Sequence, residues 1–76
     1  MTTVDQEIDT TGMFCPLPIL KTKKALNNMS SGQVLKVIST DPNSLRDFQA
    51  FCAQTGNTLM DQQTVGETFI HVLKRR

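Results

Sequence analysis

Pro16 and Pro18 stand either side of a single leucine, and no other pair in the chain restricts the local fold as strongly. Proline has a fixed φ and no N–H, so inside a helix it removes a hydrogen bond and clashes with the carbonyl four residues back. In the first turn those donors have no partner anyway, and the fixed φ suits the helix. A helix therefore begins at this pair, and the spacing predicts it over 16–29. Ile19, Thr22, Leu26 and Met29 form its buried stripe, flanked by Leu20 and Ala25, with Lys21, Lys24 and Asn28 opposite. Ser30, Ser31 and Gly32 end it. Cys15 then falls at or next to the N-cap, where it caps poorly compared with Ser, Thr, Asp or Asn.

Around this helix the pattern alternates between strand and helix. Residues 4–8 read as an opening strand with Val4, Gln6 and Ile8 on one side, broken by Thr10, Thr11 and Gly12. Residues 34–39 are rich in β-branched side chains and form a second strand, with Leu35 and Val37 opposed to Val34, Lys36 and Ile38. Asp41 and Pro42 signal a second helix, a capping carboxylate followed by proline at the first helical position. Leu45, Phe48, Cys52 and Thr55 share one face of that helix, Phe51 lies beside them, and Gly56 stops it. A third strand over 58–65 is edge-like because of Asp61, Gln62 and Gln63; Gly66 and Glu67 turn into a fourth over 68–73.

The order β-α-β-α-β-β predicts an α+β fold, a two-layer α/β sandwich with a mixed four-stranded sheet. Each early helix is a crossover between parallel strands, and right-handed crossovers place both helices on one face. The last two strands form an antiparallel hairpin. The fourth strand is apolar on both faces, Phe69 and Leu73 on one and Ile70 and Val72 on the other, so the uncovered face exposes apolar surface or meets a partner.

A chain of 76 residues supports a single domain, expected over 1–76. It buries roughly 60% of its unfolded surface. The apolar fraction of 38%, with four Phe and neither Trp nor Tyr, gives a thin core that manages without several disulfides. Two cysteines far apart do not make a secreted disulfide scaffold. No apolar run approaches the ~20 residues that span a bilayer, so no membrane role is expected. Asp5, Glu7 and Asp9 are foreign to a signal peptide. A net charge of +1 argues against bulk capture of nucleic acid. The expectation is a soluble, cytoplasmic domain with reduced thiols.

Cys15 is the candidate reactive group. A thiol at a helix N-terminus meets the positive end of the dipole, which predicts a modest lowering of its pKa. The prolines stiffen the backbone and hold the sulfur in one direction. The alternative is a small residue buried at a strand-to-helix turn. Cys52, inside an apolar helical stripe, reads as core filler, and no CxxC spacing supports a disulfide with Cys15. One histidine and two distant cysteines make no zinc site, so no metal is expected. His71 reads as a polar sheet position, with catalysis a minor option. Gly12, Gly32, Gly56 and Gly66 are too scattered for a phosphate loop. Asp41 reads as a cap, Asp47 beside Arg46 as a solvated surface pair, and the four methionines as core. Lys21, Lys23 and Lys24, with Lys74, Arg75 and Arg76, form either a solvated helix face and a frayed tail or a docking patch for acidic partners or RNA phosphates. Without Tyr or Trp to stack on, single-stranded base readout is not expected.

The run Asp9-Thr10-Thr11-Gly12-Met13-Phe14-Cys15-Pro16-Leu17-Pro18 resembles the D-x-x-G-x-x-C-P-x-P signature of the TusA/SirA-like sulfur carrier family. Further similarity runs through Gly32, Thr40-Asp41-Pro42, Arg46-Asp47 and Gly56, so the likeness covers nearly the whole chain. The resemblance implies a sandwich like the C-terminal domain of a translation initiation factor. It also implies that Cys15 carries a persulfide, taken from a cysteine desulfurase or rhodanese-type donor and passed to a downstream acceptor protein. No cofactor is implied beyond that covalent sulfur, and the chain would be a sulfurtransferase-type carrier rather than a free-standing turnover enzyme. Pro16 and Pro18 would orient the sulfur, Gly12 would allow the exposing turn, and Lys21, Lys23 and Lys24 would dock partners. Family members feed tRNA wobble-uridine thiolation, molybdenum cofactor synthesis, sulfur oxidation or selenium metabolism, and the motif does not separate these. The competing reading is a non-catalytic interaction or regulatory module in which Cys15 is structural.

Overall fold

The structure is a computed structural model that describes residues 3–76. The elements follow the expected order: β1 Gln6–Thr10, α1 Leu17–Asn27, β2 Val34–Ser39, α2 Ser44–Thr55, β3 Thr58–Val65 and β4 Thr68–Lys74. The sheet runs β1-β2-β4-β3. β1 is parallel to β2, and β4 is antiparallel to both of its neighbours, β2 and β3. β2 and β3 therefore point the same way with β4 inserted between them, so both crossovers join strands of like direction. The α+β class and the mixed sheet with its helices on one face are as the pattern predicts.

The differences lie at element ends. β1 starts at Gln6 rather than Val4 and continues through Thr10, one of the residues expected to break it. The Thr10 hydroxyl donates to the Ile38 carbonyl at 2.6 Å, which ties the strand end to β2; the break falls at Thr11 and Gly12. α1 ends at Asn27, and the amides of Asn28 and Met29 close a tighter last turn on the carbonyls of Ala25 and Leu26. Leu20, expected beside the buried stripe, is exposed. It lies two residues before buried Thr22, about 200° around a helix of 3.6 residues per turn. β3 carries an irregularity between Leu59 and Asp61, in keeping with an edge strand.

The core lies between sheet and helices. Ala25, Leu26, Met29, Leu35, Val37, Phe48, Cys52 and Leu73 are buried in contact, with Ile8, Ile19, Phe51 and Leu59 packed against them. Buried Phe48 stacks on the His71 ring at 4.3 Å. His71 is a sheet residue, as expected, but fully buried on the helix side of β4 beside Leu73. Its Nδ1 lies 3.1 Å from Gln62 Nε2 and its Nε2 lies 3.0 Å from Ser44 Oγ. Thr22 is also buried among the helices, and its hydroxyl finds no hydrogen-bond partner among the described residues. The opposite sheet face stays open. Val4, Met60, Ile70 and Val72 line a shallow cavity of about 310 Å³ there, together with Lys36, Asp61 and Gln63.

Candidate functional site

β1 and β2 are parallel, so their C-terminal ends lie side by side, and each leads directly into a helix. That edge, where two strands end and two helices begin, is where open α/β sheets place their ligands. Cys15 sits there, exposed, in the loop between β1 and α1.

The loop is fixed through its backbone. Thr11 N–H donates to Asp9 Oδ1 at 2.9 Å and Met13 N–H to the Thr10 carbonyl at 3.1 Å, folding the chain back after β1. Gly12 has φ +79°, a left-handed conformation that side chains disfavour, and its N–H reaches Thr40 Oγ1 at 2.9 Å. Cys15 N–H donates to Asp41 Oδ2 at 2.9 Å. Two amides of this loop are thus anchored to the segment that joins β2 to α2. The Cys15–Pro16 peptide is cis. Pro16 occupies the N-cap of α1 and Pro18 is buried in its first turn, so Cys15 falls next to the N-cap, one of the two placements expected.

Asp41 stands two residues ahead of the N-cap rather than on it. α2 begins at Ser44 with Asn43 at the N-cap and Pro42 ahead of the helix, a shift from the expected start. Asp41 is 2% exposed; its Oδ1 accepts from Asn43 N–H at 3.0 Å while its Oδ2 holds the Cys15 amide. Its own N–H donates to Ser39 Oγ at 3.1 Å. A buried carboxylate needs such charge-assisted bonds to offset its desolvation. One side chain therefore fastens both helix entrances.

The electrostatics of the thiol reverse the expected sign. The Cys15 pKa is raised: the Asp47 carboxylate favours the protonated thiol by hydrogen bonding, partial desolvation adds to this, and the charges of Asp47 and Asp41 act the same way. The prolines have removed amide donors from the helix end, while two whole negative charges stand beside the sulfur. Asp47 is accordingly not the partner of Arg46. It is half-buried toward the thiol, and the ion pair among the described residues is Lys36 with Glu7, at 3.4 Å.

The three lysines of α1 are all exposed, Lys21 and Lys24 as neighbours three apart and Lys23 on another side. Lys21 Nζ donates to the Asp9 carbonyl at 3.0 Å, bracing the end of β1. Lys23 lines a cavity of about 270 Å³ with Phe51, Gln54, Arg75 and Arg76, toward the opposite ends of the helices from Cys15. Lys24 is exposed on the outer face of α1. The basic tail is not frayed. Arg75 N–H donates to the Gln33 carbonyl, its Nε to the Leu26 carbonyl, and Arg76 N–H to Asn57 Oδ1. Cys52 is buried in the core, and burial pushes its thiol up to about 11. Among the described residues no three His, Cys, Asp or Glu side chains come together as a metal site. Asp47 was missed in the sequence because its place opposite Cys15 depends on the β2–α2 connection. Its position one helical turn after Ser44 is the signal that could have found it.

The sequence profile of the family described as Sulfurtransferase TusA matches residues 6–75. The chain belongs to this TusA family. It is 56% identical over 75 residues to the sulfur carrier protein TusA of Allochromatium vinosum, covering 99% of each chain. To the sulfur carrier protein TusA of Pseudomonas syringae it is 36% identical over 74 residues, 97% of this chain and 88% of the relative. Its fold is similar to that of the SirA-like protein from Desulfitobacterium hafniense, with a TM-score of 0.79 at 22% identity over 91% of this chain and 95% of the other. No helix among the described residues is long and apolar enough to cross a membrane.

Proposed function

We propose that this protein is a sulfur carrier that holds sulfane sulfur as a persulfide on Cys15. The observation that carries this reading is an exposed thiol on a loop fixed by buried Asp41, at the edge where both helices begin. In the loading step the Cys15 sulfur, as thiolate, attacks the terminal sulfur of a donor persulfide. A new S–S bond forms at Cys15, the donor S–S bond breaks, and the donor sulfur leaves as a thiolate that takes up the proton Cys15 gave up. No net oxidation occurs. Unloading repeats the exchange with an acceptor thiol. Such exchange is governed by thiolate fraction, access and intrinsic nucleophilicity, and nucleophilicity rises with thiol pKa. A raised Cys15 pKa therefore trades thiolate population for a stronger nucleophile.

As part of this reading the donor is a cysteine desulfurase or rhodanese-type protein, the acceptor a downstream protein thiol in tRNA thiolation or another sulfur-trafficking route, and the setting the cytoplasm, where thiols stay reduced. Pro16 and Pro18 orient the sulfur, and Gly12 permits the turn. The test is intact mass after incubation with a cysteine desulfurase and cysteine, repeated with a rhodanese-type donor. Wild type and Cys52→Ser gain one reductant-labile sulfur, and Cys15→Ser gains none. Sulfur on Cys15→Ser, or none on wild type with either donor, overturns the reading in favour of an interaction module.

A further inference from the structure

We infer that the surface around Cys15 docks a protein segment that is apolar and carries a cation beside its own cysteine, with Phe14, Leu17 and Leu20 receiving the apolar part and Asp47 the cation. This rests on the carrier reading of Cys15 and is separate from the lysine-based docking expected from the sequence.

Phe14, Leu17 and Leu20 are 67%, 53% and 55% exposed. Scattered exposed apolar residues are ordinary, but a contiguous group beside a reactive thiol marks an interaction site. Leu17 and Leu20 are three apart on α1 and so neighbours on its surface, and Phe14 immediately precedes Cys15. None of the three belongs to the core cluster.

The occupant follows from charge and shape. Asp47 lies in the first turn of α2, and the connection leading into that turn holds the Cys15 amide through Asp41 Oδ2, so the acidic groups at this edge are Asp47 and Asp41. Asp41 is buried and committed to two backbone amides, whereas Asp47 is only half-buried and in no ion pair among the described residues. On the α1 side Lys21 is held on the Asp9 carbonyl, and Lys24 extends the leucine stripe one turn farther from Cys15. The charge left beside the sulfur is therefore negative, and it complements a cation. Neither the 270 Å³ nor the 310 Å³ cavity includes Cys15, so the sulfur meets its source on an open surface, which suits a protein segment better than a small molecule. A cation at Asp47 also draws that carboxylate away from the thiol and so moves the Cys15 pKa back down toward its ordinary value.

The experiment uses the full chain and whichever donor, cysteine desulfurase with cysteine or a rhodanese-type protein, loads the wild type. Initial loading rates give kcat and KM, the rate of iodoacetamide modification against pH gives the Cys15 titration, and thermal unfolding checks the fold. Asp47→Asn should lower the Cys15 titration midpoint in the free carrier and raise KM several-fold. Leu17→Asn with Leu20→Asn should raise KM several-fold and leave the titration midpoint in place. A KM within twofold of wild type for both variants, with sulfur still loading on wild-type Cys15, overturns the docking inference and leaves the carrier reading intact. Failure of wild type to load from either donor overturns the carrier reading, and the docking inference falls with it.

Discussion

Asp41 links the stability of the domain to the placement of its thiol. Its two carboxylate oxygens serve backbone amides on different segments, Asn43 and Cys15. Hydrogen bonds to a charged group contribute about 1.5–3 kcal/mol each. Asp41→Ala should therefore destabilise the protein by about 2–4 kcal/mol in urea unfolding, a large part of the roughly 5–15 kcal/mol available to a small domain. The same variant should speed amide exchange at Cys15 ahead of the rest of α1. Unchanged exchange there would show that the anchor does not hold the loop. Asp41 before Pro42 reads in the sequence as the cap of α2, but the N-cap is Asn43, and Asp41 instead accepts from the Asn43 amide from two residues ahead of it. Its second oxygen was illegible, because the distance from residue 41 to residue 15 is set only when β1 and β2 pair. The sign of the Cys15 shift was missed for the same reason: the dipole is local in sequence, and the Asp47 carboxylate is not.

At the scale of elements, the signals that proved legible were those in which backbone chemistry acts alone. The paired prolines set the start of α1, and Gly56, at φ +82° with its N–H on the Cys52 carbonyl, ends α2 where expected. The face of α1 was legible only in part. Thr22, Ala25 and Leu26 turn inward, but Leu20 turns outward because the 3.6-residue period fixes it opposite Thr22. Thr22 itself is a weak point of the helix–sheet packing, since its buried hydroxyl has no partner among the described residues. An unpaired buried hydroxyl costs about 1–3 kcal/mol. Valine has nearly the same shape and a similar helix propensity. Thr22→Val should raise stability by about 1 kcal/mol, read as a higher urea midpoint at unchanged slope. A lower midpoint would mean that the hydroxyl has a partner in solution.

Across the whole molecule, one chain of polar contacts ties three elements together through the core. Gln62 on β3 meets His71 on β4, and His71 meets Ser44 at the start of α2. Gln62 Nε2 also donates to the Leu45 carbonyl, so the amide nitrogen faces inward and His71 Nδ1 accepts from it; Nε2 then carries the ring proton and donates to Ser44. This arrangement needs a neutral ring, and burial against Phe48 lowers the His71 pKa to about 4. In the unfolded chain the ring titrates near 6.5. As pH falls below 6.5 the unfolded state takes up the proton first, so stability is fully present above that pH and is lost progressively down to about pH 4. By pH 5 the loss should reach on the order of 2 kcal/mol. The Asp9 carboxyl, held below its usual range first by the Thr11 amide, loses its contribution only at lower pH, so the upper window isolates the histidine. Urea unfolding at pH 7.5 and 5 measures the slope, and the imidazole NMR signals report the titration directly. A ring that titrates near 6.5 in the folded protein, with no loss of stability across that window, would show that water reaches His71 and that the three elements are not coupled through a neutral ring.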